Sequence, residues 1–331
     1  MLFRAVLFFL EIFRIAYRVY VVNRVWNKSR VRKEVTEVYH RRGLPFDEAY
    51  FKRIYFYLMV ASIVKIWFTT LRGKKESKKE RMAFAYIGAS TPLYDDLFDE
   101  NELTYQQVKH LLSEGNTKGY GIIAAIGIVF YEKLMSCLDH PNTFMRYLDL
   151  IAIAQDQSKA QVGGHLLSEL ELRQITYDKG GYSIVAYRTI LTNELLPGEE
   201  KAAYHLGCIC QLTNDIFDLR KDHLNNQQTF LTRTDDIQTV RKEYLDLVHK
   251  TTAAFRKLDY SNWNLRRFEL QLMLIVGRGM VCLDQLARVQ KKYGKWDASL
   301  MLRSESVCDM EKPINLMRYF WYSLKDPAEL E

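Results

Sequence analysis

Apolar residues recur at helical spacing through almost the whole 331-residue chain, and this periodicity restricts the fold more than any other feature. Recurrence every three or four residues indicates helices, whereas no alternating pattern of the kind found in strands extends over more than a few positions. Only 6 Pro and 16 Gly interrupt the chain, too few for a β-sandwich with its many turns. The sequence therefore predicts an all-α protein.

The clearest predicted helix covers residues 46–71, whose apolar second half is interrupted only by Lys65. Asp47 and Glu48 favour the positive amino end of this helix. The apolar run is short for a membrane span, so we predict a central core helix. Further helices are predicted at 82–99, 104–114, 120–138, 143–176, 182–195, 199–223, 237–257, 263–293 and near 310–324, with a solvated charged linker at 72–81 and a break at Lys179–Gly181.

Residues 1–40 are predicted to be a separate amphipathic, basic amino-terminal helix, and residues 41–331 one all-α domain. On a helical wheel the charged residues fall within an arc of about 80°, and aromatic and aliphatic residues fill much of the remainder. Two interpretations stay open: the helix packs on the domain, or residues 1–33 make a peripheral contact with a membrane interface. The charged residues of the arc are Arg4, Glu11, Arg14 and Arg18, followed by Arg24, Lys28, Arg30, Arg32 and Lys33.

Net charge and cysteine content restrict the partners and cellular location of this protein less than the periodicity restricts its fold. The net charge of +7 is compatible with an anionic ligand, a nucleic acid or a membrane surface. Only the charged run at 72–81 would favour nucleic acid, so no nucleic-acid partner is predicted. Five cysteines without a CxxC pair indicate a reducing cytoplasm, with peripheral membrane attachment as an addition. A homo-oligomer is also compatible with the sequence.

Two acidic clusters carry the candidate chemistry, and the first is Asp95-Asp96-Leu97-Phe98-Asp99. Asp95 and Asp99 are four residues apart, so on a helix both side chains project from one face. Like charges at this spacing repel each other unless a cation joins them. Asp96 lies about 100° around the helix and is a second or bridging ligand for the same ion. Oxygen ligands of this kind favour Mg²⁺.

The second cluster lies in the stretch from Asn214 to Asp222. Asn214, Asp218 and Asp222 repeat every four residues and form a polar stripe over two turns of a helix. Because the preceding segment is largely apolar, the stripe is predicted to line a cavity, where buried carboxylates need a cation. Two such helices facing each other would hold several Mg²⁺ ions and bind a diphosphate.

At these residues the sequence resembles the class I isoprenoid (terpenoid) synthases. The first cluster matches the DDxxD motif of that superfamily, and the second matches the cyclase motif NDxxSxxKE with Asp218 in place of Ser and Asp222 in place of Glu. The stretch Lys179-Gly-Gly-Tyr-Ser resembles the large-substrate cyclases typified by tetraprenyl-β-curcumene synthase. The resemblance covers roughly residues 80–325 and leaves out the amino-terminal helix.

The resemblance implies an all-α bundle around a deep apolar pocket and a Mg²⁺-dependent terpene synthase, a lyase that ionises an allylic prenyl diphosphate and cyclises the carbocation. Three Mg²⁺ ions would be held by the aspartates of both motifs and Asn214. Alternatives are a prenyltransferase, a squalene- or phytoene-type head-to-head synthase and, in another class, a non-catalytic adaptor at the membrane surface. The diphosphate-binding residues implied are Arg173, Lys179, Lys221, Arg318 and Tyr319.

Among these alternatives, the sequence favours chain elongation less. In the elongating enzymes of the superfamily that this sequence resembles, the DDxxD motif is followed shortly by an arginine pair. The residues after Asp99 contain no such pair. Residues 100–102 of this stretch lie outside the part of the chain that the structure describes. Head-to-head condensation stays open, because a DxxxD spacing occurs at Asp95–Asp99 and again at Asp218–Asp222.

Overall fold

The computed structural model describes residues 2–99 and 103–331, except for the side chains at positions 2 and 23–26, among them the predicted basic residue Arg24. Within these residues every regular element is helical and the only β-type pairing is an isolated bridge, which confirms the predicted all-α class. The α-helices are α1 (Leu2–Ala16), α2 (Ser29–Arg41), α3 (Glu48–Arg72), α4 (Lys78–Asp99), α5 (Tyr105–Glu114), α6 (Ile122–Cys137), α7 (Pro141–Ser158), α8 (Glu169–Thr189), α9 (Glu199–Leu224), α10 (Phe230–Arg233), α11 (Ile237–Arg256), α12 (Asn262–Tyr293), α13 (Arg303–Ser306) and α14 (Pro313–Leu324). A π-helix (Tyr17–Lys28) connects α1 to α2.

The chain forms two compact units. Unit 1 comprises Met1–Phe9, Gln157–Val185 and Leu195–Glu331, and unit 2 comprises Leu10–Asp156 and Ala186–Glu194. This division does not coincide with residue 40. The separateness of residues 1–40 stays a prediction, since compactness does not measure independent folding.

Helix α4 packs against α3 and α6 in unit 2. Gly88 allows the close approach to α3, because a Cβ at this position would lie 2.6 Å from the Cβ of Ala61. Pro92 lies inside α4, where it removes one backbone donor. The helix nevertheless continues to Asp99, so it carries the whole first motif.

The charged run at 72–81 is only partly the solvated linker that the sequence predicted. Glu80 is buried near the start of α4, where Arg72 donates to it at 2.5 Å. The backbone N–H groups of Ser77 and Thr192 also donate to Glu80, at 2.6 and 3.0 Å. Glu76 lies 3.5 Å from the buried Lys65 of α3. These ion pairs attach the run to unit 2.

Helices α9, α11, α12 and α14 pack together in unit 1, and α8 corrects one prediction. The sequence predicted a break at Lys179–Gly181, but α8 runs through both glycines. A Cβ at Gly180 would lie 2.4 Å from the carbonyl oxygen of Gly207 in α9, and one at Gly181 would lie 2.4 Å from the ring of Tyr204. The glycines therefore allow α8 and α9 to cross at close range.

The break lies instead between α7 and α8, in a stretch predicted to be helical. The side chain of Gln228 anchors this loop by donating to the carbonyl of His165 at 2.6 Å and accepting from the N–H of Leu167 at 3.1 Å. Ser168 and Glu171 then cap the start of α8, each accepting a backbone N–H bond from the other. A serine followed three residues later by a glutamate is typical of a helix start, so this boundary could have been predicted from the sequence.

Two helices in the described residues, α3 and α12, are long and apolar enough to cross a membrane by length and composition. In each, 67% of the most apolar window is buried inside the structure. Burial of this extent is what a core helix shows, and the same length and composition are common in such helices. It agrees with the core position predicted for residues 46–71.

Candidate functional site

The first acidic motif occupies the last turns of α4 in unit 2. Asp96 points towards α3, where the hydroxyl of Tyr50 donates to it at 2.6 Å and the guanidinium of Arg53 at 2.7 Å. Asp96 is buried, so these bonds satisfy a charge that would otherwise be costly. Its geometry favours a structural role over the metal-binding role that the spacing suggested.

Asp95 and Asp99, four residues apart, project from a neighbouring face of α4, about 100° and about 60° around the helix from Asp96. Asp99 is exposed, and the side-chain amide of Gln155 in α7 approaches it at 3.4 Å. Asp95 is half-buried. Burial of Tyr187, and to a smaller extent the negative charge of Asp95, raise the pKa of Tyr187 to about 12. The motif thus divides into one carboxylate bound within the protein and two on a different face.

The second motif lies on α9 in unit 1 and places four polar side chains on one stripe. Asn214 is exposed and its amide lies 3.4 Å from Asp218, which is partly exposed. Asp222, one turn further on, is buried. Asp215 is also buried and accepts a hydrogen bond from Gln211 at 2.9 Å. Sequence reasoning missed Asp215, although its spacing of three and seven residues from Asp218 and Asp222 places it on the same helix face.

Burial and crowding of these carboxylates oppose their ionisation. Burial raises the pKa of Asp215 to about 6, with a smaller contribution from Asp218. Burial and then the charges of Asp215 and Asp218 raise the pKa of Asp222 to about 7. Negative charge on this face is therefore incompletely compensated by the protein, and a cation binding here would relieve the repulsion.

Lys179 is the predicted diphosphate donor that the structure connects to this stripe. Its positive charge acts on both Asp215 and Asp222 and lowers their pKa values, opposing the effect of burial. The α8–α9 crossing at Gly180 positions Lys179 beside α9. Lys221 is largely exposed and lies 3.8 Å from Asp218.

The other predicted donors have different surroundings. Arg173 forms an ion pair with Glu243 of α11 at 3.1 Å and lies over the ring of Phe230. Arg318 and Tyr319 are half-buried on α14, and the pKa of Tyr319 is raised, mainly by burial. No contact given by the structure joins these three to the aspartates of α9 in the described part of unit 1.

Arg278 of α12 is a second residue that the sequence did not indicate. Its guanidinium lies 5.0 Å from the ring centre of Phe217, within the second motif. Its charge also lowers the pKa values of Tyr244 and Tyr319, although burial raises both overall. An exposed arginine therefore lies next to the motif. Only the packing of α12 against α9 brings it there, so no local signal in the sequence could have identified it.

The donor atoms of both motifs are carboxylate and amide oxygens, which suit a hard cation such as Mg²⁺. The raised pKa values of Asp215 and Asp222 also favour a bound cation, because a positive charge would stabilise their ionised forms. Within residues 2–99 and 103–331 no group of three or more His, Cys, Asp or Glu side chains forms a ready-made metal cluster. This is compatible with Mg²⁺, which commonly uses one or two carboxylates together with water and substrate phosphates.

Two cavities in unit 1, each of about 590 Å³, lie away from the motifs. One is lined by residues of α11 and α12 that include Arg288 and Lys291. The other lies beside the start of α1 and includes Phe3 and Leu7. Neither lining includes a residue of an acidic motif, so the deep apolar pocket at the motifs stays a prediction.

Comparison with known proteins adds one distant likeness. No family model matches the chain, and no curated protein matches it either. Among solved structures, the chain is similar to a geranylgeranyl pyrophosphate synthetase from the archaeon Geoglobus acetivorans, with 15% sequence identity and a TM-score of 0.47. The similarity covers 74% of this chain and 95% of that chain. At this distance it carries no argument about activity, and the all-α class rests on the helices themselves.

Proposed function

We propose that this chain is a Mg²⁺-dependent isoprenoid synthase that ionises an allylic prenyl diphosphate, with cyclisation of the carbocation as its main reaction. The proposal rests on one observation above the others: α9 carries a stripe of carboxylates beside the cationic Lys179, and burial raises the pKa values of two of them, Asp215 and Asp222. Such a stripe suits a magnesium-bound diphosphate, in which positive and negative charges alternate. The DDxxD sequence on α4 is the independent support, through its resemblance to the class I synthases.

In this proposal the metal ligands are Asp95 and Asp99 in the first motif and Asn214, Asp218 and Asp222 in the second. Mg²⁺ would supply charge neutralisation of the diphosphate leaving group. Asp215 adds negative charge at the second motif. Asp96 is left out of the ligand set because Tyr50 and Arg53 bind it.

The protein's own donors act on the leaving diphosphate. When the allylic C–O bond breaks, the electron pair leaves with the diphosphate and a carbocation remains on the prenyl chain. Lys179 and Lys221 would stabilise the developing anion, and Arg318 and Tyr319 are the further donors that we propose. Cyclisation then ends when the cation loses a proton, which makes the net reaction a lyase reaction. Arg173 would contribute indirectly, since Glu243 pairs with it.

Prenyl transfer is the second candidate, and both acidic motifs suit it equally well, because elongation and cyclisation begin with the same ionisation. The two reactions differ in what captures the carbocation. In transfer the double bond of isopentenyl diphosphate attacks it, whereas in cyclisation a double bond of the same chain does so. Head-to-head condensation uses two allylic substrates.

The test is incubation with farnesyl, geranylgeranyl and longer prenyl diphosphates, with and without isopentenyl diphosphate, followed by assay of released diphosphate and mass spectrometry of the products. A cyclase converts the allylic substrate alone into hydrocarbon. Products lengthened by five carbons, formed only with isopentenyl diphosphate, would replace cyclisation by transfer. A folded protein that releases diphosphate from none of these substrates would contradict the enzyme proposal and favour a non-catalytic role.

Variants locate the chemistry within the chain. Asp95→Ala and Asn214→Ala are expected to abolish release of diphosphate while leaving helicity unchanged. Asp235→Ala is the control, since Asp235 lies in a connection outside both motifs. Full activity in either motif variant would show that the ligand assignment is wrong.

A further inference from the structure

The inward side of the amino-terminal helix α1 is mixed: the apolar Leu7 and Phe8 are buried there together with Glu11. Arg4 donates to the backbone carbonyls of Leu324 at 2.9 Å and Lys325 at 2.7 Å. Surface helices of globular proteins normally turn their charged side chains outward. The polar arc seen in the sequence is therefore an inward-facing arc.

The outward side of α1 is a continuous apolar stripe. At 100° per residue its members fall within an arc of about 120°, and all of them are exposed. No side chain in this arc carries a charge or a hydrogen-bonding group, so water has nothing to bind along it. The stripe consists of Phe3, Val6, Phe9, Leu10 and Phe13.

In unit 1 the stripe continues into a wider apolar surface. Phe3 lies next to the exposed Trp263 at the start of α12, with ring centres 6.5 Å apart. Phe9 contacts Phe320 of α14, which also presents Met317 and Trp321 to solvent. We call the unit 1 members of this set, Phe3, Val6 and Phe9 of α1 together with Trp263, Met317 and Trp321, the apolar face. Contiguous exposed apolar surface of this kind marks an interaction site.

We propose that the apolar face lies in the interface of an anionic lipid bilayer, with α1 parallel to the membrane plane. A surface whose side chains are mostly aromatic or aliphatic suits the acyl boundary, whereas a typical protein interface has a polar rim and about ten hydrogen bonds. Tryptophan favours the level of the lipid headgroups, and Lys325 lies 3.8 Å from the ring centre of Trp321, an arrangement that suits this level.

Charge complementarity indicates the lipid class. The chain carries a net charge of +7, and within unit 1 the exposed Arg266 lies three residues after Trp263 on α12 while Lys325 lies beside Trp321. Lysine and arginine near a bilayer are attracted by anionic headgroups. The inference does not depend on catalysis, since none of these residues belongs to the proposed active site.

Flotation of the full-length protein with vesicles tests the proposal. Vesicles of phosphatidylcholine containing phosphatidylglycerol are compared with vesicles of phosphatidylcholine alone. We expect binding to the anionic vesicles, weakening as salt is raised, and at least tenfold weaker binding for Phe3→Glu and for Met317→Glu. Leu170→Glu in α8 is the matched control, because Leu170 is 72% exposed and Phe3 is 64% exposed.

Each outcome decides for or against the bilayer. Circular dichroism and thermal melts must first show that the variants fold like the wild type, as expected for exposed positions. The proposal is overturned if the wild type binds neither kind of vesicle, or if Leu170→Glu weakens vesicle binding as much as the variants of the apolar face do. Sedimentation velocity distinguishes the other occupant: a dimer that Phe3→Glu dissociates, together with no vesicle binding, would show that a second copy covers the apolar face.

Discussion

The close crossing of α8 and α9 predicts that Gly180→Ala destabilises the protein, although alanine is the better helix former. A Cβ at this position would lie 2.4 Å from the carbonyl oxygen of Gly207 and 2.5 Å from the Cβ of Gln211. Both atoms belong to or lie next to the backbone of α9, so neither can rotate away. Overpacking of this kind costs about 1–3 kcal/mol, and the gain in helix propensity offsets at most about 1 kcal/mol. We expect a net loss of about 1–2 kcal/mol.

Gly127→Ala is the matched control for this prediction. Gly127 also lies inside a helix, α6, but a Cβ there would meet nothing within 4 Å. The same substitution should therefore stabilise the protein, by up to about 1 kcal/mol. Urea denaturation followed by far-ultraviolet circular dichroism measures both changes. If Gly180→Ala were as stable as Gly127→Ala, the close crossing would be refuted and the glycines would need another explanation.

Two further predictions concern buried carboxylates of unit 2. Burial opposes the change, but hydrogen bonds, the one from Arg72 foremost, lower the pKa of Glu80 to about 2. A lowered pKa in the folded state stabilises the protein above the unfolded value near 4.5, and this contribution is lost as the pH falls towards 2. Glu80→Gln should therefore lower the free energy of unfolding, measured by urea denaturation, by about 2–3 kcal/mol at pH ~7 and by much less at pH ~3. An equal loss at both pH values would contradict the lowered pKa of Glu80. Asp96→Asn should lower the free energy of unfolding by about 1–3 kcal/mol through loss of the Arg53 pair, while the folded enzyme still releases diphosphate. Asp95→Asn should stop the release of diphosphate with a smaller change in stability. The reverse pattern would show that Asp96 is a metal ligand.

Periodicity in the sequence was sufficient to predict the all-α class and the position of most helices. Helices such as α3 and α9 are long, and their apolar spacing reflects burial directly. The error at Lys179–Gly181 has a physical origin. Local rules treat paired glycines as a helix break, but here the missing side chains make room for α9. That reason depends on a partner distant in sequence, which local spacing does not contain.

Less of the candidate site could be predicted. Helix geometry places Asp96 about 100° around α4 from Asp95, and the sequence prediction still counted it as a ligand of the same ion. Only the position of α3 shows that Tyr50 and Arg53 bind Asp96. Asp215 could have been found from its spacing on α9. Arg278 could not, because its place beside Phe217 results from the packing of α12.

The inward-facing polar arc of α1 illustrates the same limit. The wheel groups the charged residues, yet grouping alone does not tell which side faces the protein. The bonds from Arg4 to the carbonyls at the end of α14 settle the direction. An amphipathic pattern therefore predicts a helix and its two faces, and the partner of each face comes from the fold.

We propose that binding of a magnesium-bound prenyl diphosphate requires the aspartates of α4 as well as those of α9. Binding of a prenyl thiolodiphosphate, which resists ionisation, measures this directly by isothermal titration calorimetry in wild type, Asp95→Ala and Asp218→Ala. We predict binding by the wild type that requires Mg²⁺, and at least tenfold weaker binding in each variant. Equal affinity in the presence of a chelator, or wild-type affinity in either variant, would contradict the claim.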